Sequence, residues 1–148
     1  MFKRILVATD GSALSEQAVA KASELALLTG AELVAVNVAH REPHSFFDGS
    51  SVFSQLETDE VQHRSDAAAH KLADATKAAA LAKGVRSVQA VVVRSNQVAE
   101  AIIEAVKSHQ CDLIVMASHG RRSLTRLLMG SETLHVLTHS HIPVLVLR

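Results

Sequence analysis

A mostly parallel α/β sheet with helices on both faces is the fold class this chain predicts, from three observations. Five short apolar runs, rich in β-branched residues, alternate with four longer stretches whose apolar residues recur at helical spacing. The run Leu113 to Met116 is apolar throughout rather than alternating, as expected of a strand buried on both faces. Glycines and small polar residues punctuate the boundaries, at Thr9-Asp10-Gly11-Ser12, Gly30 and Gly84. Right-handed crossovers then leave few arrangements. The strand order 3-2-1-4-5 makes strands one and four neighbours at a topological switch point, and ligands of such sheets bind there, beyond the carboxyl ends.

In chain order, Ile5 to Ala8 reads as strand one, and the turn after it offers a helix N-cap. Ala18, Val19, Ala22, Leu25 and Ala26 mark helix one up to Thr29, with Gly30 placed to end it in a left-handed conformation. Strand two runs from about Glu32 to Val38. From Ala39 to Ser54 the pattern is lost, and Pro43, Gly49 and several serines predict a long loop. Three of the four phenylalanines, Phe46, Phe47 and Phe53, fall there, either covering the domain's own core or forming a lid or partner surface. Gln55 to Lys83 is the longest helix, stopped by Gly84, and Val85 to Val93 is strand three. Asn96 is a candidate cap for helix three, marked by Val98, Ala101, Ile102, Ala105 and Val106. Strand four is Leu113 to Met116, helix four covers about Ser131 to His139, and Pro143 introduces a last strand, Val144 to Leu147.

The 148 residues predict one domain, residues 1–148, large enough to bury a core without disulfides or a structural metal. Lys plus Arg and Asp plus Glu number 15 each, so no global field draws nucleic acid or an anionic membrane. The apolar part of the N-terminus is too short for a signal peptide or a membrane span, which predicts a cytosolic protein. Cys111 is the only cysteine; it predicts a small buried residue in a reducing compartment.

The chemistry gathers after strand four. Ala117, Gly120 and Gly130 let backbone approach a ligand closely, and Ser131 adds a hydroxyl. Arg121, Arg122 and Arg126 lie between the glycines, and no acidic residue follows Asp112 until Glu132, so the local charge suits an anion. If Gly130 and Ser131 open helix four, its unpaired N–H groups and positive dipole end point at the same place. Neither Gly-x-x-x-x-Gly-Lys-Ser/Thr nor a Gly-x-Gly-x-x-Gly after strand one is present, which argues against a P-loop ATPase or an ordinary dehydrogenase.

What is present is Ala117-x-x-Gly120, nine residues, then Gly130-Ser131, with an opening Lys3-Arg4-Ile5-Leu6-Val7-Ala8-Thr9-Asp10-Gly11-Ser12. In these stretches the sequence resembles the universal stress protein family in its small single-domain form, from the first strand to Ile142-Pro143-Val144-Leu145-Val146. The resemblance implies a Rossmann-like, adenine nucleotide alpha hydrolase-like fold and ATP as ligand, alone or with Mg²⁺. It implies a nucleotide-contacting set of Asp10, Val38, Met116, Ala117, Gly120, Arg121, Gly130, Ser131 and Glu132. Gly120, Gly130 and Ser131 would cradle the phosphates, Asp10 would face the ribose or a metal ion, and the Val38 backbone would meet the adenine. Asp10 is equally explained by an Asx-type turn at the helix start.

Two positions depart from the family pattern. The first motif glycine is Ala117 here; a positive φ there would cost about 1–2 kcal/mol, or roughly tenfold in affinity per 1.4 kcal/mol, whereas at negative φ only a methyl group must be fitted. Ser95-Asn96-Gln97 stands where many relatives carry Gly and Pro, an effect on turn geometry.

Arg121 and Arg122 either pair with phosphate or stay solvated. His135, His139 and His141 have a spacing compatible with a divalent metal, but with no local carboxylate or cysteine to complete a set they read as surface histidines, and no metal site is assigned. His119 either donates to a phosphate or shapes the turn. Ser118 beside it is a poor nucleophile–base pair, and without a Walker lysine or paired carboxylates any ATP hydrolysis should be slow, so no catalytic residue is named. The apolar last strand predicts a homodimer by antiparallel pairing with its copy, as the resemblance also implies. The expected function is a cytosolic, dimeric stress-response module that binds ATP and acts on an unidentified protein partner. The alternative is an interaction module of the same fold that binds no nucleotide.

Overall fold

The computed structural model describes residues 1–41, 51–121 and 129–148, with side chains 51–55 left out of the description. Its elements in chain order are β1 (Arg4–Ala8), α1 (Ala13–Thr29), β2 (Glu32–Ala39), α2 (Ser51–Ala82), β3 (Val88–Arg94), α3 (Val98–Ser108), β4 (Leu113–Ala117), α4 (Ser131–His139) and β5 (Val144–Leu147). The strands form one sheet in the order β3-β2-β1-β4-β5, with every pairing parallel. Order and direction are those the alternation of apolar runs predicts.

Strand side chains alternate between two apolar layers, as the period of two demands. Ile5, Val7, Leu33, Ala35, Leu113 and Val115 pack against Ala18, Val19, Ala22 and Ala26 of α1 and Ala80 of α2. Leu6, Val34, Val36, Ile114 and Met116 face the other way, onto Ala99, Ile102 and Val106 of α3 and Val136 of α4. Small alanines on α1 let its backbone approach the sheet closely. Because both faces of β1 and β4 are covered, the open end of their junction is its carboxyl edge, where the chain leaves the sheet.

The helix ends follow local chemistry. Ser12 caps α1 by accepting from the Ser15 N–H at 3.3 Å, and Gly30 closes the helix at φ +73°. Gly84 turns the chain after α2 at φ +100°.

Several expected boundaries move. Val85 belongs to the core rather than to β3: its N–H closes the end of α2 on the Ala80 carbonyl, and the strand begins only at Val88. At its start α2 reaches Ser51, and β2 extends through Ala39, so the long loop expected over residues 39–54 is shorter by both ends. Phe46, Phe47 and the side chain of Phe53 lie outside the described residues, as do Arg122 and Arg126. Asn96 does not cap α3. Its Oδ1 accepts from the Arg41 N–H at 2.9 Å, tying the end of β2, and the cap position falls on Gln97 without a side-chain bond.

Candidate functional site

Two loops leave adjacent strands and meet. The turn after β1 is fixed by Asp10, whose Oδ1 accepts from the Ser12 N–H at 2.9 Å in an Asx turn, with Gly11 at φ +77° completing the bend. The second carboxylate oxygen crosses to the other loop and accepts from the Arg121 N–H at 2.8 Å. Asp10 therefore serves the turn and bridges β1 to β4. Burial raises its pKa, but the hydrogen bonds from Ser12, Arg121 and Ser15 outweigh this and hold the carboxyl below its ordinary value.

The bridge explains Gly120. A β-carbon there would lie 2.6 Å from Asp10 Oδ2, so only a glycine lets the carboxylate reach the neighbouring amide. At Gly11 a β-carbon would lie 2.8 Å from a terminal guanidinium nitrogen of Arg121, which places that cation over the β1 turn.

Past the loop, the Gly130 N–H donates to the Ser118 carbonyl at 2.7 Å and closes its neck, and Thr133 Oγ1 donates to the Ala117 carbonyl at 3.0 Å. Gly130 occupies the cap position of α4 at φ −62° and ψ 149° and offers no capping side chain. The first N–H groups of α4 thus open toward the loop with the positive end of the helix dipole. Glu132, in the same turn, directs its carboxylate elsewhere: Oε2 accepts from the Ala99 N–H at 2.8 Å and supplies the cap that α3 lacks locally.

Between these parts lies a cleft of about 610 Å³, within the roughly 300–1,000 Å³ usual for small-molecule sites. Its floor and walls include all nine residues anticipated from the sequence: Asp10, Val38, Met116, Ala117, Gly120, Arg121, Gly130, Ser131 and Glu132. One half is apolar, with Ala8, Val36, Val98 and Ile102 joining Val38 and Met116; the other carries backbone amides, hydroxyls, the Asp10 and Glu132 carboxylates and Arg121. Such a division suits a flat heterocycle joined to an anionic group. Ala117 lies within β4, and Gln110 is the one described non-glycine residue with positive φ, so the conformational penalty considered for this departure does not arise.

Sequence reasoning missed Ser15, Asn37, His40 and Thr133, which also line the cleft. Asn37 had a visible signal, as a lone amide inside the apolar run of β2. Thr9 and Ser15 share a buried hydroxyl contact at 3.2 Å that no periodicity could reveal.

His119 lines the cleft, and its Nδ1 stands 3.1 Å from Ser118 Oγ. Ser118 is only 6 % exposed and is not part of the cleft lining, so the pair presents no hydroxyl to a ligand. His135 and His139 stack with ring centres 4.2 Å apart, His135 leaning on Glu100 at 3.2 Å. Among the described residues no group of three His, Cys, Asp or Glu is arranged to hold a metal ion. Asp10 is the cleft carboxylate not committed to α3. One carboxylate with phosphate oxygens is a donor set that suits Mg²⁺, which usually keeps several waters. Cys111 is buried, and burial together with Asp112, against the pull of Arg4, pushes its thiol up to about 11. It is a buried packing residue, as anticipated. No helix among the described residues is long and apolar enough to cross a membrane.

Comparison with known proteins accords with this geometry. The profile of the universal stress protein family matches residues 1–148. A universal stress protein of Thermus aquaticus, from the QAH/OAS sulfhydrylase 3′ region, is 32% identical over 149 residues, covering 100% of both chains. Among solved structures, the universal stress protein UspA from Lactobacillus plantarum superposes with a TM-score of 0.75 at 25% identity, covering 99% of this chain and 97% of that one. A universal stress protein in complex with cAMP shares the fold at a TM-score of 0.72 and 23% identity, over 99% of this chain and 97% of its own. The whole length of this chain therefore belongs to the universal stress protein family.

Proposed function

We propose that this protein is a single-domain, cytosolic regulatory module that binds ATP, alone or with Mg²⁺, in the cleft between the ends of β1 and β4. The observation that carries the reading is the division of that cleft: an apolar half beside an open strand edge, and a polar half at an uncapped helix start. The adenine would lie against Val38 and Met116, and the phosphates would approach the bare backbone at Gly130 and take the Ser131 N–H, the Ser131 hydroxyl and the Arg121 guanidinium. Asp10 would meet the ribose hydroxyls or Mg²⁺. A relative of the same fold is known in complex with cAMP, which supports an adenine nucleotide as the class of ligand.

The output is regulatory rather than catalytic. The two cleft carboxylates are already engaged, Asp10 by the Ser12 and Arg121 N–H groups and Glu132 by that of Ala99, so neither is poised to activate water. β5 lies at the sheet edge with Leu145 41 % exposed. Antiparallel pairing with a second copy would cover that edge and create a two-fold dimer, whose surface a protein partner could read.

Acid extraction of freshly purified protein, followed by chromatography of released nucleotides and calorimetric titration with ATP and AMP, tests the proposal. Released adenine nucleotide, or saturable heat with ATP, is expected. No nucleotide and no heat at millimolar ATP would leave the nucleotide-independent interaction module instead.

A further inference from the structure

We infer that Asn37 is a positioning residue that ends the β1–β2 ladder one rung early, and so frees the Val38 backbone to select adenine over guanine. The inference rests on the nucleotide-binding reading of the cleft, in which the Val38 backbone meets the adenine, and adds to it the residue that keeps that backbone free.

The pairing of β1 with β2 stops at Ala8↔Val36, where the Thr9 N–H donates to the Val36 carbonyl at 3.0 Å. In a parallel ladder the next rung would run from the Val38 N–H to the Thr9 carbonyl. That carbonyl instead accepts from the Asn37 side-chain amide, Nδ2, at 2.9 Å, a buried contact. Backbone groups alternate along a strand. The Ser95 N–H donates to Ala39 on the β3 side, so Ala39 and Asn37 face β3, whereas Val36 and Val38 face the side of β1. β1 has ended at that level, and Val38 lines the cleft. Its N–H and C=O, side by side, point where the missing rung would have been.

A donor and an acceptor on one residue match an adenine edge, whose N1 accepts and whose N6 amino group donates. Guanine carries O6 and an N1–H in the corresponding places, so donor faces donor and acceptor faces acceptor. Were Asn37 unable to donate, the Thr9 carbonyl would recover its rung from Val38 and the reading edge would close. The side chain thus acts on the base through the backbone beside it.

The test uses the whole chain and the variants Asn37→Ala and Asn37→Asp. Amide hydrogen exchange by NMR should find Val38 in the wild type exchanging at least tenfold faster than Val36, with Val38 becoming protected in Asn37→Ala. Calorimetric titration with ATP and with GTP, each with Mg²⁺, should show a wild-type preference for ATP that falls about tenfold in both variants, the loss of roughly one base contact. A purely structural Asn37 would lower the melting temperature and both affinities alike, leaving the ratio unchanged. Two results overturn the inference alone: Val38 as protected as Val36 in the wild type, or ATP binding whose ratio to GTP survives both variants. Wild-type protein that binds neither nucleotide overturns the reading of the cleft and the selectivity together. The wild-type exchange measurement can overturn the inference even if the variants fail to fold.

Discussion

The two ends of the sheet treat their polar groups in opposite ways. At the amino end, the Asp112 carboxylate accepts from the N–H groups of Lys3 and Arg4 at 2.8 and 3.1 Å, and the Arg4 side chain donates to Glu32 at 2.7 Å and to the His109 carbonyl at 2.8 Å. The Asp112 N–H returns to the Arg4 carbonyl and the Glu32 N–H to that of Lys3, both at 2.9 Å. The charges of Arg4, Glu32 and Asp112 each answer a group of the same chain. At the carboxyl end, one carboxylate does comparable bridging work, yet around it Val38, Ser131 and the start of α4 turn donors and acceptors into a cleft. Saturated polar groups hold the fold, and those left facing a cavity are the ones a ligand can use.

If that contrast is right, the largest effect should come from blocking the bridge at the cleft. Gly120→Ala puts a β-carbon 2.6 Å from an Asp10 oxygen held by the Arg121 N–H, so the carboxylate must leave its partner or the loop must move. We expect ATP affinity to fall about a hundredfold, equivalent to about 2.7 kcal/mol. Calorimetric titration reads this directly, and an unchanged dissociation constant would detach the Asp10 bridge from the binding site.

The converse change belongs to the opposite end. Asp112→Ala removes the acceptor of two backbone N–H groups at the start of β1 and should destabilise the protein by about 1–2 kcal/mol, since part of the network is solvated. For a chain of this size the melting temperature should drop by roughly 3–6 °C. ATP affinity should stay within about twofold. Heating curves and titrations on the same sample make the comparison, and a large loss of ATP binding would erase the division between the ends.

How much of this could be read from the chain depends on the distance over which each feature is decided. The apolar runs of β1 and β4 and the glycine spacing after β4 are local patterns; they led to the sheet order and to the family resemblance whose nine implied contact residues all line the cleft. Long-range hydrogen bonds leave no such pattern. Asn96, beside helix three, reads as its cap, but the cap comes from Glu132, 33 residues away from Ala99. Val85 reads as strand because it is apolar, whereas its side chain enters the core from the turn after α2. Asn37 interrupts an apolar strand in plain view, yet its meaning depends on the Thr9 carbonyl across the ladder. Glu132 was anticipated at the cleft by resemblance, and the structure brings it there while turning its carboxylate toward α3.

The smallest expected effect concerns the residue that most clearly departs from the family motif. Ala117 is the last residue of β4, in register with Leu147 of β5 and with its carbonyl accepting from Thr133 Oγ1, and no positive φ is required of it. Restoring the motif glycine by Ala117→Gly therefore relieves no strain. It removes one methyl group, 92 % of whose residue surface is covered, given an exposure of 8 %. A glycine inside a strand should lower stability by about 0.5–1 kcal/mol, and ATP affinity should change by no more than about twofold, well under the tenfold that 1.4 kcal/mol would produce. A tenfold gain in affinity would mean that the methyl occupies volume the nucleotide needs. The open, ligand-facing character assigned to the carboxyl end would then be incomplete at Ala117 itself, the one position where a side chain replaces bare backbone.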